Sequence, residues 1–228
     1  MRQALVVRGG WEGHAPVQAT DLFIPFLEAA GYAVRIETTP EVYADERMSE
    51  VDLIVQCYTM GTASREAVAG LRAAIAAGTG MMGWHGGIAD SFRASSDYLH
   101  LIGGQFATHP SKAPEELHGD ETDNFLPYRV DLVPERSDHP VVAGLESFEL
   151  TTEQYWVLTD GLCDVLATTT HPAPAWHPWH REVTCPAVWT RQWGEGRICV
   201  VTPGHSIDVL EHPTVRTLIE RGMTWASR

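Results

Sequence analysis

The chain has 228 residues, 44% of them hydrophobic and 20% charged, enough to bury a sizeable core without disulfide staples and too apolar for a disordered segment. Lys and Arg number 16 against 30 Asp and Glu, a formal net charge of −14. Such a surface repels phosphate backbones and anionic lipid, so no nucleic acid and no membrane is expected as a partner, and a neutral or cationic small molecule is favoured over a polyanion.

The first half alternates strand and helix. Ala4–Gly10 is an apolar run closed by two glycines, and a helix is expected from about Pro16 to Ala30, capped by Gly31. A second strand covers the YAVRIET segment. The third, Val51 to Cys57, is almost wholly apolar and so must be covered on both faces, as in a parallel sheet. An alanine-rich helix, REAVAGLRAAIAAG, leads to a fourth strand, GMMGWHGG, that runs into a glycine turn. Three β–helix–β passages of this kind predict a doubly wound, three-layer sheet.

The second half is less regular. Residues 109–126 are polar and acidic and read as a long loop; YRVDLV and CDVLATTT read as strands. After the loop HPAPAWHPWHRE, two strands are expected to meet at a turn over Gly194–Gly196, and a helix from about Pro213 to Ala226 closes the chain. Trp189 and Trp193, four apart on a strand, share a face and are expected in the core. No repeat, linker or low-complexity segment appears, so 1–228 is expected to form a single domain. Cys57, Cys163, Cys185 and Cys199 form no CxxC pair and sit in or beside apolar runs, as packed, reduced thiols of a cytoplasmic protein do. No signal peptide or spanning apolar segment is present.

In a doubly wound sheet, ligands bind beyond the carboxyl ends of the strands. Unusual residues gather at those ends: His14 just after strand one, Trp84-His85-Gly86-Gly87 after strand four, and Gly204-His205 after the late strand ICVVTP. A residue between a strand and Gly-Gly sits on a tight elbow that projects one side chain into a cleft, here Trp84 or His85. No Ser or Cys lies in that turn, so acyl-enzyme chemistry has little support. His14, His85, His109, Glu153 and His205 are expected to share one cleft. His and Glu are ligands that zinc takes and are also general acids and bases, although no HxxxH or HExxH spacing occurs. The loop from His171 to His180 holds Trp176 and Trp179. It reads as a proline-stiffened loop whose tryptophans pack on the body, or alternatively as a surface for stacking sugars.

The motifs in their order resemble the ThuA-like family, named for trehalose utilisation. They are Gly13-His14, Trp84-His85-Gly86, the Gly103-Gly104-Gln105-Phe106 to His109-Pro110 run, Asp138-His139-Pro140 to Gly144-Leu145, Thr151-Thr152-Glu153-Gln154-Tyr155, Pro186 to Trp189, Gly194 to Arg197, Gly204-His205 and Trp225-Ala226. The resemblance covers nearly the whole chain. It implies an α/β flavodoxin-like three-layer sandwich with a mostly parallel central sheet, as in class I glutamine amidotransferases. Those enzymes carry a cysteine at the elbow, where this chain has Trp84-His85. Their triad histidine corresponds to His205, but the acidic partner two residues later is replaced by Ile207, with Asp208 one further on. Glutaminase activity is therefore not expected.

The resemblance implies sugar catabolism, with a hydrolase or lyase acting on a keto-sugar or keto-glycoside. His85, Glu153 and His205 are the expected catalytic residues and the expected ligands of a divalent, zinc-like metal, with His109 as a further donor. His14, Trp84, His109 and Tyr155 are expected to bind substrate. The expected partner is a small sugar-type molecule, and the oligomeric state is open, a homo-oligomer included. Two alternatives remain: a divergent amidase using Cys57, and a sugar-binding or sensory domain without turnover.

Overall fold

The computed structural model describes residues 1–228. In chain order the elements are β1 (Arg2–Gly10), α1 (Pro16–Asp21), α2 (Ile24–Ala29), β2 (Tyr32–Glu37), β3 (Leu53–Thr59), α3 (Arg65–Ala76), β4 (Gly80–Trp84), α4 (Gly86–Ala89), α5 (Ser96–Ile102), β5 (Gly104–Thr108), β6 (Phe125–Leu132), β7 (Phe148–Glu153), β8 (Trp156–Thr159), β9 (Asp164–His171), β10 (Val183–Trp193), β11 (Gly196–Val201), α6 (Ile207–Glu211) and α7 (Pro213–Ala226). No helix is long and apolar enough to cross a membrane.

Alternation along the buried strands builds the three layers. Ala4 and Val6 of β1, with Leu53 and Val55 of β3, pack under α1, α2 and α7 through Phe23, Leu27, Leu218 and Met223. The intervening Leu5, Val7 and Ile54 face the other way, against Leu71 and Ile75 of α3 and Tyr98 and Leu101 of α5. Each central strand is therefore covered on both faces, which is why the sequence shows unbroken apolar runs there.

The nine strands are ordered β2-β1-β3-β4-β11-β10-β9-β6-β7, and β5 pairs with β8 in a separate two-stranded ribbon. The expected mostly parallel sheet needs correction. Pairing is parallel from β2 to β11 and antiparallel from β11 through β10, β9 and β6 to β7. The sheet is mixed because its second half is joined by short connections, which suit antiparallel neighbours, whereas parallel neighbours need crossovers. The β6–β7 hairpin joins β9 only through Asp131 and Leu132, so its far end is free to bend over the rim of the sheet.

Other expectations also shift. The single helix over 16–30 is two short helices, α1 and α2, broken at Leu22 and Phe23. Pro25 explains the break: it lacks the N–H and crowds the preceding turn. β5, β7 and β8 are strands that no periodicity announced. Trp189 is fully buried, its indole Nε1 donating to the Ile102 carbonyl at 2.9 Å, whereas Trp193 is only half-buried.

Candidate functional site

The ends of β1, β4 and β11 lie along one rim because these strands run parallel. β1 leads into a short 3-10 turn, Glu12–His14, that turns the His14 ring inward. β4 ends at Trp84, and the next residue, His85, adopts φ 48 and ψ −141. That backbone is strained for a residue with a Cβ, at a cost of about 1–3 kcal/mol. It is held from three sides. The His85 N–H donates to the Val201 carbonyl at 2.7 Å, its carbonyl accepts from Ala89 N–H at 2.9 Å, and its Nδ1 lies 2.8 Å from the Thr202 carbonyl. Gly86 follows because a Cβ there would stand 2.7 Å from His14 Cε1.

The elbow thus presents His85 and not Trp84. Trp84 is 1% exposed and packs on Phe23 with ring centroids 5.0 Å apart. Its expected place in substrate binding is corrected to a place in the core, since the strand's alternation directs residue 84 toward the helix layer.

The other expected residues do meet. Ring centroids are 4.7 Å apart for His14 and His85, 5.3 Å for His85 and His205, and 5.2 Å for His14 and His205. Glu153, at the end of β7, is carried into their midst by the bent hairpin, and Phe125 of the same hairpin packs edge-on to His205 at 5.1 Å. Glu153 Oε2 lies 3.1 Å from His85 Nε2 and 3.2 Å from His205 Nδ1, and Oε1 lies 3.5 Å from His109 Nε2. Tyr155 stacks on His85 at 4.0 Å and is 3% exposed, so it backs the elbow histidine rather than lining an open pocket. His109 is the most open member, its side chain 27% exposed.

Electrostatics sharpen the picture. Burial lowers the pKa of His14 to about 2, helped by His85 and His205, so its imidazole is neutral. Burial also lowers His85. Burial would raise Glu153, but His205 and His85 beside it outweigh that and hold the carboxyl well below the usual range. The group is therefore a carboxylate among buried imidazoles.

Hydrogen placement exposes a conflict. The Thr202 carbonyl can only accept, so His85 Nδ1 carries the proton, and a neutral ring leaves a lone pair on Nε2. That lone pair faces a carboxylate oxygen at 3.1 Å. His205 Nδ1 is near the same oxygen but off the bonding direction, and it has no hydrogen-bond partner. A cation placed between these atoms would resolve both contacts. Donor atoms of His14, His85, Glu153 and His205 all lie within 4.8 Å of one another. Three imidazoles and a carboxylate suit zinc, and an Nδ1–H held by a backbone carbonyl is the usual support for a ligating histidine. His14, expected from the sequence to bind substrate, stands among these donor atoms. His109, a further donor in expectation, stands outside the group, facing Glu153 Oε1.

Cys57 is 2% exposed beneath the elbow, its sulfur 3.2 Å from where a Cβ at Gly87 would be, and burial pushes its thiol up to about 12. Such a thiol is a poor nucleophile. Ammonia release from glutamine is expected to match a no-enzyme blank, and Cys57 is expected to resist iodoacetamide at neutral pH in the folded protein. Glutamine turnover abolished by alkylation would reverse this.

These features define an α/β sandwich whose elbow carries a histidine in a buried imidazole–carboxylate cluster. The chain belongs to the ThuA family, trehalose utilisation, whose model matches residues 3–226. Among solved structures, it is similar to a ThuA-like protein of Bacteroides uniformis at 20% identity and a TM-score of 0.74, covering 99% of this chain and 91% of that one. A ThuA-like protein of Parabacteroides merdae is similar at 16% identity and a TM-score of 0.74, covering 99% and 89%. A β-galactosidase of Bacillus circulans shares the fold over 99% of this chain but 30% of its own, with 10% identity and a TM-score of 0.58. At these identities the likeness shows the fold alone. No curated protein matches the sequence.

Proposed function

We propose that the chain is an enzyme of sugar catabolism that cleaves a sugar or glycoside bearing a keto group, by elimination or hydrolysis. The observation that carries this is Glu153, an ionised carboxylate held among His85, His205 and His109 at 3.1–3.5 Å. A ring keto group acidifies the neighbouring C–H. A base can remove that proton, and the resulting electron pair expels the glycosidic oxygen from the next carbon. The open Glu153–His109 pair suits the proton transfer, with His109 at the solvent side. The leaving oxygen takes a proton and departs as an alcohol; water then adds to the alkene to complete a net hydrolysis.

We further propose that His14, His85, Glu153 and His205 hold a divalent, zinc-like cation. Bound there, it would supply a Lewis acid for the keto oxygen. The family's link to trehalose utilisation supports a sugar substrate, and the strand order β2-β1-β3-β4-β11 supports a flavodoxin-like, amidotransferase-like core. The acidic composition favours an unphosphorylated sugar.

The test is a screen of keto-glycosides, 3-keto-trehalose among them, against the unoxidised parents. Turnover confined to the keto forms is expected. Equal rates on both would remove the keto group from the mechanism.

A further inference from the structure

β3 carries an amide in the middle of its apolar run. Gln56 is fully buried between Val55 and Cys57, on a strand flanked by β1 and β4. An amide without partners there would be costly, yet each end of this one is bonded. The Tyr43 hydroxyl, from the 3-10 turn Pro40–Ala44, donates to Gln56 Oε1 at 2.8 Å. Gln56 Nε2 lies 2.6 Å from the Tyr98 hydroxyl, 2.9 Å from Ser91 Oγ and 3.3 Å from the Gly87 carbonyl. The Tyr98 hydroxyl donates to the Ile88 carbonyl at 2.7 Å, and Ser91 Oγ donates to the Gly87 carbonyl at 2.8 Å.

Protons in this network can run only one way. The two carbonyls only accept, so Ser91 and Tyr98 donate to them and accept from Gln56 Nε2. That fixes the amide orientation and leaves Oε1 for Tyr43. Both branches end on α4, the single turn Gly86–Ala89. A helix this short leaves its last carbonyls unpaired and does not form unaided. The network supplies partners for two of them.

His85 is the residue that precedes α4. Its strained backbone persists only where its surroundings over-determine it. One of its restraints, the Ala89 N–H on its carbonyl at 2.9 Å, comes from α4 itself. That restraint is as firm as the placing of the turn. Ile88 and Ala89 are buried against the layer of α3 and α5, but apolar packing is non-directional. Beyond the turn, the Met60 N–H donates to the Asp90 carbonyl at 2.8 Å. Within the turn, the directional contacts from β3 and α5 are those of the Gln56 network. A Cβ at Gly87 would stand 2.8 Å from Cys57 Cα, so α4 rests directly on the strand that carries Gln56.

We propose that Gln56 is a positioning residue for the candidate site: through Ser91 and Tyr98 it holds α4, and thereby keeps His85 Nε2 aimed at Glu153. Its own bonds go to no residue of the cluster. The inference rests on the reading of the His85–Glu153 cluster as the functional site, but its first readout needs neither substrate nor cation.

Amide hydrogen exchange at His85 and Ala89 in the cation-free protein, taken relative to the slowest amides of the central strands, decides it. The parent is compared with Gln56→Met, Tyr98→Phe and Leu27→Ala. Leu27, on α2 across the sheet, is a buried control for loss of stability alone. Gln56→Met is expected to speed the two elbow amides about tenfold relative to the core, the scale of a lost hydrogen bond. Leu27→Ala should leave that ratio unchanged. Tyr98→Phe removes one hydroxyl, so it should move the ratio in the same direction by less, and it carries the test if Gln56→Met does not fold. Zinc titration reads the consequence: the dissociation constant should rise about tenfold in Gln56→Met, within the range for partners that orient metal ligands, and stay at the parent value in Leu27→Ala. A ratio unmoved by Gln56→Met and Tyr98→Phe, or moved equally by Leu27→Ala, overturns the positioning role. No zinc binding by the parent, with the exchange ratio moved as expected, would instead remove the cation and keep the positioning role.

Discussion

Glu153→Gln is expected to lower turnover of a keto-glycoside by about 10²–10⁴-fold, the contribution of a positioned general base. The substitution keeps the shape of the side chain and removes its charge, its basicity and its carboxylate donor to the proposed cation, so metal content measured beside turnover separates the base role from the ligand role. It should not unfold the protein. Glu153 is buried, and its carboxylate is tolerated only because imidazoles surround it at 3.1–3.5 Å. A glutamine Nε2 in place of Oε2 could donate to the lone pair that His85 Nε2 presents, a contact the carboxylate does not satisfy. The melting temperature of the cation-free variant should therefore match or exceed that of the cation-free parent, and circular dichroism should be unchanged. His109→Asn is the companion variant. His109 is outside the donor group and faces Glu153 Oε1, so it should lower kcat without changing metal content. Full turnover by Glu153→Gln would remove the carboxylate from the chemistry.

Much of this was legible in the sequence, for reasons specific to each element. β3 is recognisable because both its faces are buried, which leaves a run from Leu53 to Cys57 that is apolar except for the buried Gln56. The rim follows from topology: strands that run parallel bring their carboxyl ends together, so His14, His85 and His205 converge although 191 positions separate the first and last (205 − 14). Glu153 could not be placed by that logic. It reaches the rim through the β6–β7 hairpin, whose pairing to β9 spans two residues and leaves no periodic trace. The choice between Trp84 and His85 was also hidden. They stand side by side ahead of Gly86-Gly87, and the positive φ at residue 85 decides which side chain leaves the sheet. The two loop tryptophans have similar sequence contexts but different employment. Trp179 is committed by a hydrogen bond to Pro172, seven residues back, and Trp176 is not.

Chelation is expected to lower the melting temperature of the purified protein by about 8–16 °C. A cation present at about 1,000 times its dissociation constant contributes about 4 kcal/mol to the folded state, and each kcal/mol moves the transition of a chain this size by about 2–4 °C. The structural reason is the unresolved contact within the cluster. His85 Nδ1 donates to the Thr202 carbonyl, so a neutral His85 turns a lone pair toward Glu153 Oε2 at 3.1 Å. With Glu153 held as the carboxylate, two arrangements make that contact favourable: a cation shared by the two atoms, or a second proton on His85. Burial opposes the second proton, and the neutral rings of His14 and His85 beside a carboxylate make a donor set that needs no deprotonation to accept a divalent ion. Elemental analysis should find about one zinc-like ion per chain, lost in His14→Ala along with the chelator-sensitive part of the melting transition. Nitrogen-15 NMR of the histidine rings separates the two arrangements. An ion-bound His85 shows one N–H, at Nδ1, and an imidazolium shows two. A metal-free protein with a doubly protonated His85 and a transition indifferent to zinc and chelator would replace the cation with a buried imidazolium–carboxylate pair.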